Sequence, residues 1–158
     1  MANFGIVITV FGAALCAILA GAGSAIGVMA AGKAAAGVSS ENPDLFGKVL
    51  VLQALPGTQG IYGFLIAILI MVRVGLLGGN VADLTAAQGW QFFFAALPMA
   101  VVGLISGICQ GKAAVAAIYM TGKQPDASGK GITMTALVET YAILALLASI
   151  LLMFGIQI

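Results

Sequence analysis

The chain has 158 residues, of which 62% are hydrophobic and 7% charged, with no histidine and a formal net charge of +1. A soluble domain carries roughly 25% charged residues, so this composition excludes an ordinary soluble fold. The small net charge gives no argument for a nucleic-acid partner, and lipid is the surrounding that such a composition requires.

Four stretches are apolar and long enough to cross the hydrocarbon core of a membrane, which takes about 20 residues of helix. We predict membrane helices at about 6–36, 47–73, 89–122 and 131–157. The first stretch is too long for a cleaved signal peptide, and no basic region precedes it, so we interpret it as a structural helix. The expected fold class is an all-α membrane protein with four transmembrane helices.

The second predicted helix contains an unusual segment, LPGTQGIYGF, at residues 55–64. Pro56 has no N–H and clashes with the carbonyl four residues earlier, which loosens a helix. On one helical face, at i, i+3, i+4 and i+7, lie Leu55, Thr58, Gln59 and Tyr62. The polar side chains either satisfy the backbone groups that the proline frees or form a site at mid-membrane.

Small residues recur at steps of four on the first and third predicted helices. These are Gly23, Gly27, Ala31 and Ala35 on helix one and Gly103, Gly107 and Gly111 on helix three. Such stripes let the backbones of membrane helices approach closely. We expect helices one and three to form a crowded inner layer, as in a ring, with helices two and four outside. Cys16 and Cys109 are interpreted as small packing residues.

The chain repeats itself. ENPDLFGKVLVLQALPG, at 41–57, matches KQPDASGKGITMTALVE, at 123–139, with an offset of 82. Two glycine pairs match at an offset of 84, which predicts a two-residue insertion in the first loop. We therefore divide the chain into two tandemly duplicated helical hairpins, 1–78 and 79–158. The offset of 82 aligns Gly57 with Glu139, so the two hairpins share one acid.

Glu139 is the acid that falls inside a predicted span, whereas the other four acids lie in loops. A charge at the centre of a span costs about 2.5–3.5 kcal/mol on insertion scales, which favours an ion or proton pathway over a structural role. Counted from the same membrane side at about 1.5 Å per residue, Thr58, Gln59 and Gln110 reach a depth similar to that of Glu139.

The residue types at this depth limit the ion. Carboxylate, hydroxyl and amide oxygens suit Na⁺, Ca²⁺ or Mg²⁺, and the lack of thiolate and imidazole groups disfavours transition metals. One negative charge balances a monovalent cation and leaves a divalent one uncompensated in lipid. A proton needs only the carboxyl group and one acceptor, so the further oxygens favour Na⁺, with H⁺ as the alternative.

The basic residues predict the orientation. Five of the six flank the two predicted hairpin connections, namely Lys33, Lys48, Lys112, Lys123 and Lys130, and Arg73 lies toward the opposite side. The positive-inside rule places this face in the cytoplasm. The loops at 39–46 and 123–130 are therefore expected to be cytoplasmic, and both termini outside.

The duplication, together with LPGTQGIYGF, SGICQGKAA and VETYAILA, resembles the membrane rotor proteolipid (K or c subunit) of V-type ATPases, most of all the bacterial Na⁺-translocating type. The resemblance covers essentially the whole chain. It implies a subunit of a homo-oligomeric rotor ring in the bacterial cell membrane, which carries one Na⁺ per subunit by rotation, coupled to ATP hydrolysis in a soluble head. The chain would not be catalytic by itself and would have no catalytic residue.

The resemblance also implies a ligand set for Na⁺. The ligands would be the backbone oxygen of Leu55 and the side chains of Thr58, Gln59, Gln110 and Glu139. Tyr62 would hydrogen-bond Glu139 and hold the site closed.

The implied partners are copies of the chain itself, a stator membrane subunit with an essential arginine, central-stalk subunits at the cytoplasmic loops, and lipid. The alternatives are the same rotor with H⁺ as the coupling ion, or a small four-helix cation or drug transporter. In such a drug exporter the acid would lie in the first helix beside aromatic residues, whereas Glu139 lies in the fourth. A purely structural pore would not need an acid at this depth.

Overall fold

The computed structural model describes residues 4–158, so the predicted start of the first hairpin at residue 1 and the N-terminus lie outside the described residues. Three spans contain one long helix each: α1 (Phe4–Glu41), α4 (Ala86–Lys123) and α5 (Ser128–Gly155). A fourth helical stretch, Pro43–Arg73, is interrupted within its length. All four are long and apolar enough to cross a membrane, which confirms the predicted all-α, four-span fold.

The interruption lies at the proline of the second span. There α2 (Phe46–Ala54) and α3 (Thr58–Arg73) are joined by a single 3₁₀ turn, Leu55–Gly57. Because Pro56 offers no N–H, the local hydrogen bonding tightens, and the Leu55 carbonyl accepts the N–H of Thr58 three residues later. The span is thus one helical stretch with an irregular backbone at its middle.

Glycines hold α1 and α4 together. A Cβ atom on Gly107 would lie 2.7 Å from the carbonyl carbon of Gly23, and one on Gly23 would lie 2.6 Å from the Cα of Leu104. Gly27 and Gly111 meet in the same way, backbone against backbone. Only glycine permits this approach, as the stripes of small residues predicted.

The other two spans flank this pair. α3 packs mainly against α1, and α5 packs mainly against α4. At one end of the bundle Arg73 Nη2 donates to the Ile156 carbonyl over 2.7 Å, and its guanidinium lies 5.3 Å from the centre of the Phe154 ring. At the other end Lys48 Nζ donates to the Pro125 carbonyl over 3.0 Å. Whether α1 and α4 line the inside of a ring stays a prediction.

The repeat runs through the molecule with one constant offset. α1 and α4 end at Glu41 and Lys123, and the 3₁₀ turns that follow, Pro43–Leu45 and Pro125–Ala127, keep the same offset of 82. The predicted two-residue insertion in the first loop is therefore wrong. The glycines that match at an offset of 84 are contact pairs across the α1–α4 interface, not equivalent positions of the two hairpins. The division between residues 78 and 79 stays a prediction.

Candidate functional site

The break in the second span presents backbone and side-chain oxygens inside the membrane. The Thr58 hydroxyl donates to the Leu55 carbonyl over 3.1 Å and lies 3.5 Å from Gln59 Oε1. On α1, Ser24 Oγ accepts the N–H of Gly60 over 2.7 Å, which satisfies one of the donors that a helix start leaves without a partner. The site thus begins on a fixed, irregular turn.

Two glutamines connect this turn to the second hairpin. Gln59 Nε2 donates to Gln110 Oε1, and Gln110 Nε2 donates to the Thr135 carbonyl on α5 over 3.3 Å. Both glutamine side chains are fully buried. A buried amide costs free energy unless it is hydrogen-bonded, so this chain of amides fixes the relative depth of α3, α4 and α5.

Glu139 is held by a tyrosine from the other hairpin. The Tyr62 hydroxyl donates to Glu139 Oε1 over 2.6 Å, and both residues are half-buried. The six residues predicted from the sequence therefore form two adjoining groups, one around the glutamines and one around the carboxylate, at a common depth.

The chemistry of the site is that of neutral oxygens beside one carboxylate. Within the described residues, no group of three or more His, Cys, Asp or Glu side chains lies together as it would around a transition metal. Hydroxyl, carbonyl and amide oxygens with a single carboxylate suit a hard monovalent cation. The binding of an ion by these residues stays a prediction.

Two participants in the site were not found from the sequence. Ser24 supports the start of α3, and the Thr135 carbonyl accepts from Gln110; a serine or a backbone oxygen carries no signal in an apolar helix. Ser106, the equivalent of Ser24 at an offset of 82, is buried and its hydroxyl has no hydrogen-bond partner within the described residues, so it takes no part in these hydrogen bonds.

Comparison with known proteins gives three findings. The family model for the C subunit of ATP synthase matches twice, at residues 11–70 and 93–152, so the two matches begin at the offset of the repeat. The chain is 47% identical over 150 residues to the V-type sodium ATPase subunit K of Enterococcus hirae, covering 95% of this chain and 92% of that protein. It is 45% identical over 148 residues to the A-type ATP synthase subunit K of Methanocaldococcus jannaschii, covering 93% of this chain and 63% of that protein.

Proposed function

Because the chain belongs to the family of the ATP synthase C subunit, we propose that it is the rotor-ring subunit of a V-type ATPase and that each copy carries one Na⁺ across the membrane. The observation that carries this proposal is the Glu139 carboxylate, held by Tyr62 beside the buried Gln59–Gln110 pair. The 47% identity to a V-type sodium ATPase subunit K supports Na⁺ as the transported ion.

The proposed ligands are the Leu55 carbonyl, Thr58, Gln59, Gln110 and Glu139. Without an ion, Gln59 Nε2 donates to Gln110 Oε1. To bind Na⁺, the two side-chain amides turn so that their oxygens point toward the Glu139 carboxylate. Tyr62 keeps its bond to Glu139 and closes the site on the lipid side. A carboxylate that is neutralised by Na⁺ escapes most of the cost of about 2.5–3.5 kcal/mol for a charge in the membrane centre, and the loaded site passes through lipid.

Release needs a competitor for the carboxylate. We assign that role to an arginine of a stator membrane subunit, which pairs with Glu139 where the ring meets an aqueous path. Moving one charge against 100 mV costs about 2.3 kcal/mol. Rotation has to supply this free energy, and ATP hydrolysis in a soluble head drives the rotation. The residues of this chain bind, neutralise and release the ion, and none of them takes part in ATP chemistry.

The position of the basic residues supports one orientation. The connections at 39–46 and 123–130 lie beside Lys48, Lys123 and Lys130, so we assign them to the cytoplasm, where they contact the central stalk. The loop 74–85 and both termini then lie outside. Similarity to a bacterial relative supports the bacterial cell membrane as the location.

The test separates Na⁺ from H⁺ as the transported ion. A carbodiimide modifies only a protonated carboxyl group, and bound Na⁺ excludes that proton from Glu139. At a fixed, mildly acidic pH, millimolar Na⁺ is expected to slow the labelling of Glu139, and K⁺ is not, because it is too large for a compact site. Mass spectrometry of the peptide that contains Glu139 measures the rate.

Two sets of variants make the test specific. The double variant Thr58→Ala with Gln110→Ala is expected to lose the Na⁺ protection and keep the labelling. Thr140→Ala is the matched control, because its exposed hydroxyl bonds only the Leu137 carbonyl of its own helix over 2.8 Å, and it should keep both. Equal labelling rates of the unmodified protein with and without Na⁺ would refute Na⁺ and leave H⁺ as the coupling ion.

A further inference from the structure

The break in the second span is capped by a side chain from another helix. α3 begins at Thr58, so Gly60 lies in its first turn, where backbone N–H groups have no partner within the helix. The residue at the cap position, Gly57, has no side chain that could accept such an N–H. Instead Ser24 Oγ, on α1, accepts the Gly60 N–H over 2.7 Å. A hydroxyl of α1 thus does what a capping residue of α3 itself would do.

The first span lies close enough to the break to make this contact specific. A Cβ atom on Gly60 would lie 3.2 Å from both Cβ and Oγ of Ser24, and one on Gly27 would lie 2.9 Å from Cβ of Pro56. Ser24 is 7% exposed, so little water can compete for the N–H. Loss of the hydroxyl would leave a polar group without an acceptor in apolar surroundings, which costs free energy.

The second hairpin shows the same serine opposite an unbroken helix. α5 runs without interruption through Val138, the residue equivalent to Pro56 at an offset of 82. The N–H equivalent to that of Gly60 therefore stays in the regular hydrogen bonding of the helix. Ser106, the equivalent of Ser24, is buried, and its hydroxyl has no partner within the described residues. A serine at this place thus gains a hydrogen bond only where the facing helix is broken.

We propose that Ser24 is a positioning residue of the ion site, because it holds the Gly60 N–H and so fixes the break on which three of the proposed ligands lie. Thr58 and Gln59 directly precede Gly60, and the third ligand is the Leu55 carbonyl. Ligands that are fixed before the ion arrives lose less conformational freedom on binding, which strengthens binding. The inference rests on the proposed Na⁺ site and adds to it α1, the one span that supplies none of the proposed ligands.

Ser24→Ala removes the acceptor. In a regular helix the freed N–H would bond the carbonyl of Pro56, four residues earlier, so the backbone of the break is expected to shift toward that geometry. We expect the Na⁺ concentration that halves the carbodiimide labelling of Glu139 to rise about tenfold. The labelling rate without Na⁺ should stay the same, because Tyr62 holds the carboxylate. A general loosening of the bundle would change both quantities.

Two other serines supply matched controls in the full-length chain. Ser106→Ala removes a hydroxyl that has no partner within the described residues, so it should leave the Na⁺ concentration unchanged. Ser149 Oγ accepts the N–H of Met99 over 3.1 Å, directly after Pro98, which removes a hydrogen bond from α4. Ser149 lies ten residues beyond Glu139, about 15 Å along α5. Ser149→Ala should therefore destabilise the folded chain and still leave the Na⁺ concentration unchanged.

Gly60→Ala changes the same contact from the side of α3, and it keeps the test decisive if Ser24→Ala assembles poorly. The added Cβ meets Ser24 at 3.2 Å and displaces its hydroxyl, although alanine favours a helix more than glycine does. We expect a smaller rise in the Na⁺ concentration than for Ser24→Ala. The double variant should show no larger effect than Ser24→Ala alone, because the two residues act through one contact.

Hydrogen exchange gives a measurement that does not depend on the ion. Mass spectrometry of the peptide 55–64 should show faster exchange in Ser24→Ala and unchanged exchange in Ser106→Ala. Unchanged exchange in Ser24→Ala would overturn the proposal, as would an unchanged Na⁺ concentration in both Ser24→Ala and Gly60→Ala or an equal rise in Ser149→Ala. A lack of Na⁺ protection in the unmodified protein would instead refute the proposed Na⁺ transport, and the exchange of this peptide would still decide whether Ser24 holds the break.

Discussion

Tyr62 is the side chain that connects the two hairpins at the carboxylate. It comes from α3 of the first hairpin and donates to Glu139 Oε1, on α5 of the second, over 2.6 Å. The phenol therefore holds the acid through its O–H donor. We predict that it sets how readily the carboxylate moves, so the removal of its hydroxyl should affect the rate of ion exchange more than the equilibrium affinity.

Tyr62→Phe tests this role. Hydrogen bonds to charged groups contribute about 1.5–3 kcal/mol, so the variant should release Na⁺ about tenfold faster or more, with a much smaller change in equilibrium affinity. Rates and affinities are measured with radioactive Na⁺ on purified rings. Tyr141→Phe is the control, because Tyr141 lies two residues from Glu139 with 66% of its surface exposed. A large loss of affinity at an unchanged exchange rate would make Tyr62 a ligand.

Among single residues, the sequence reveals those that are unusual in an apolar helix. Glu139, Gln59 and Gln110 stand out because lipid penalises charges and amides. Ser24 and the Thr135 carbonyl do not, because their roles depend on which donors lie opposite them, the N–H of Gly60 and the amide of Gln110. Such pairings follow from the packing of separate helices, which the spacing along one helix does not specify.

The glycine contact of α1 and α4 is the element-scale feature that determines the arrangement of the spans. Gly107 faces the backbone of Gly23 and Ser24, both within 3.0 Å of a Cβ placed there. Neither neighbour is a flexible side-chain end that could move aside. A methyl group at this position has to separate two long helices along much of their length.

We expect Gly107→Ala to lower the stability of the folded chain by about 1–3 kcal/mol, the usual cost of overpacking. Gly37→Ala is the matched control on α1, since a Cβ atom there meets nothing within 4 Å. Replacing this helical glycine should be neutral or stabilising by up to about 1 kcal/mol. Unfolding in detergent, followed by circular dichroism, compares the two. Equal stability of both variants would show that the glycine contact is not tight in the protein.

The number and order of the spans were predictable because each is a long apolar run, and Pro56 marked the break in the second span. The repeat was predictable at its loops, where Pro43 and Pro125 stand out. Within the helices the spacing of the glycines gives a wrong alignment of the two hairpins. Glycines at an offset of 84, such as Gly23 and Gly107, look equivalent in the sequence. Their spacing reflects contact between two helices, and a contact leaves no sign in the sequence that separates it from duplication.

For the whole molecule, the uneven distribution of basic residues has a direct experimental consequence. Lys48, Lys123 and Lys130 gather at one end of the bundle, and Arg73 lies at the other. Because the membrane insertion of short loops follows their Lys and Arg content, the connection 123–130 should face the cytoplasm and the loop 74–85 the outside.

Single cysteines in a background without Cys16 and Cys109 test the orientation. Asn80→Cys and Gln124→Cys place thiols at exposed positions of the two opposite ends. A membrane-impermeant thiol reagent should label Asn80→Cys in intact cells and leave Gln124→Cys unmodified, and inverted vesicles should reverse the result. The opposite labelling would invert the assigned topology and move the stalk contact to the loop 74–85.

Gly57 stands at the position where the second hairpin has Glu139. This pairing determines how many ions the ring carries in one turn. A ring built from this chain has one ion step for every two hairpins, so each ion advances the ring through twice the arc that an acid in every hairpin would give. For a given ion gradient, the torque is therefore about half as large, because the work per ion is fixed by the potential, about 2.3 kcal/mol per charge at 100 mV. When ATP hydrolysis in the soluble head drives the ring, its work is divided among fewer ions. Each ion is therefore moved against a steeper gradient. The pairing of Gly57 with Glu139 thus sets the number of ion steps in one turn of the ring at half the number of its hairpins.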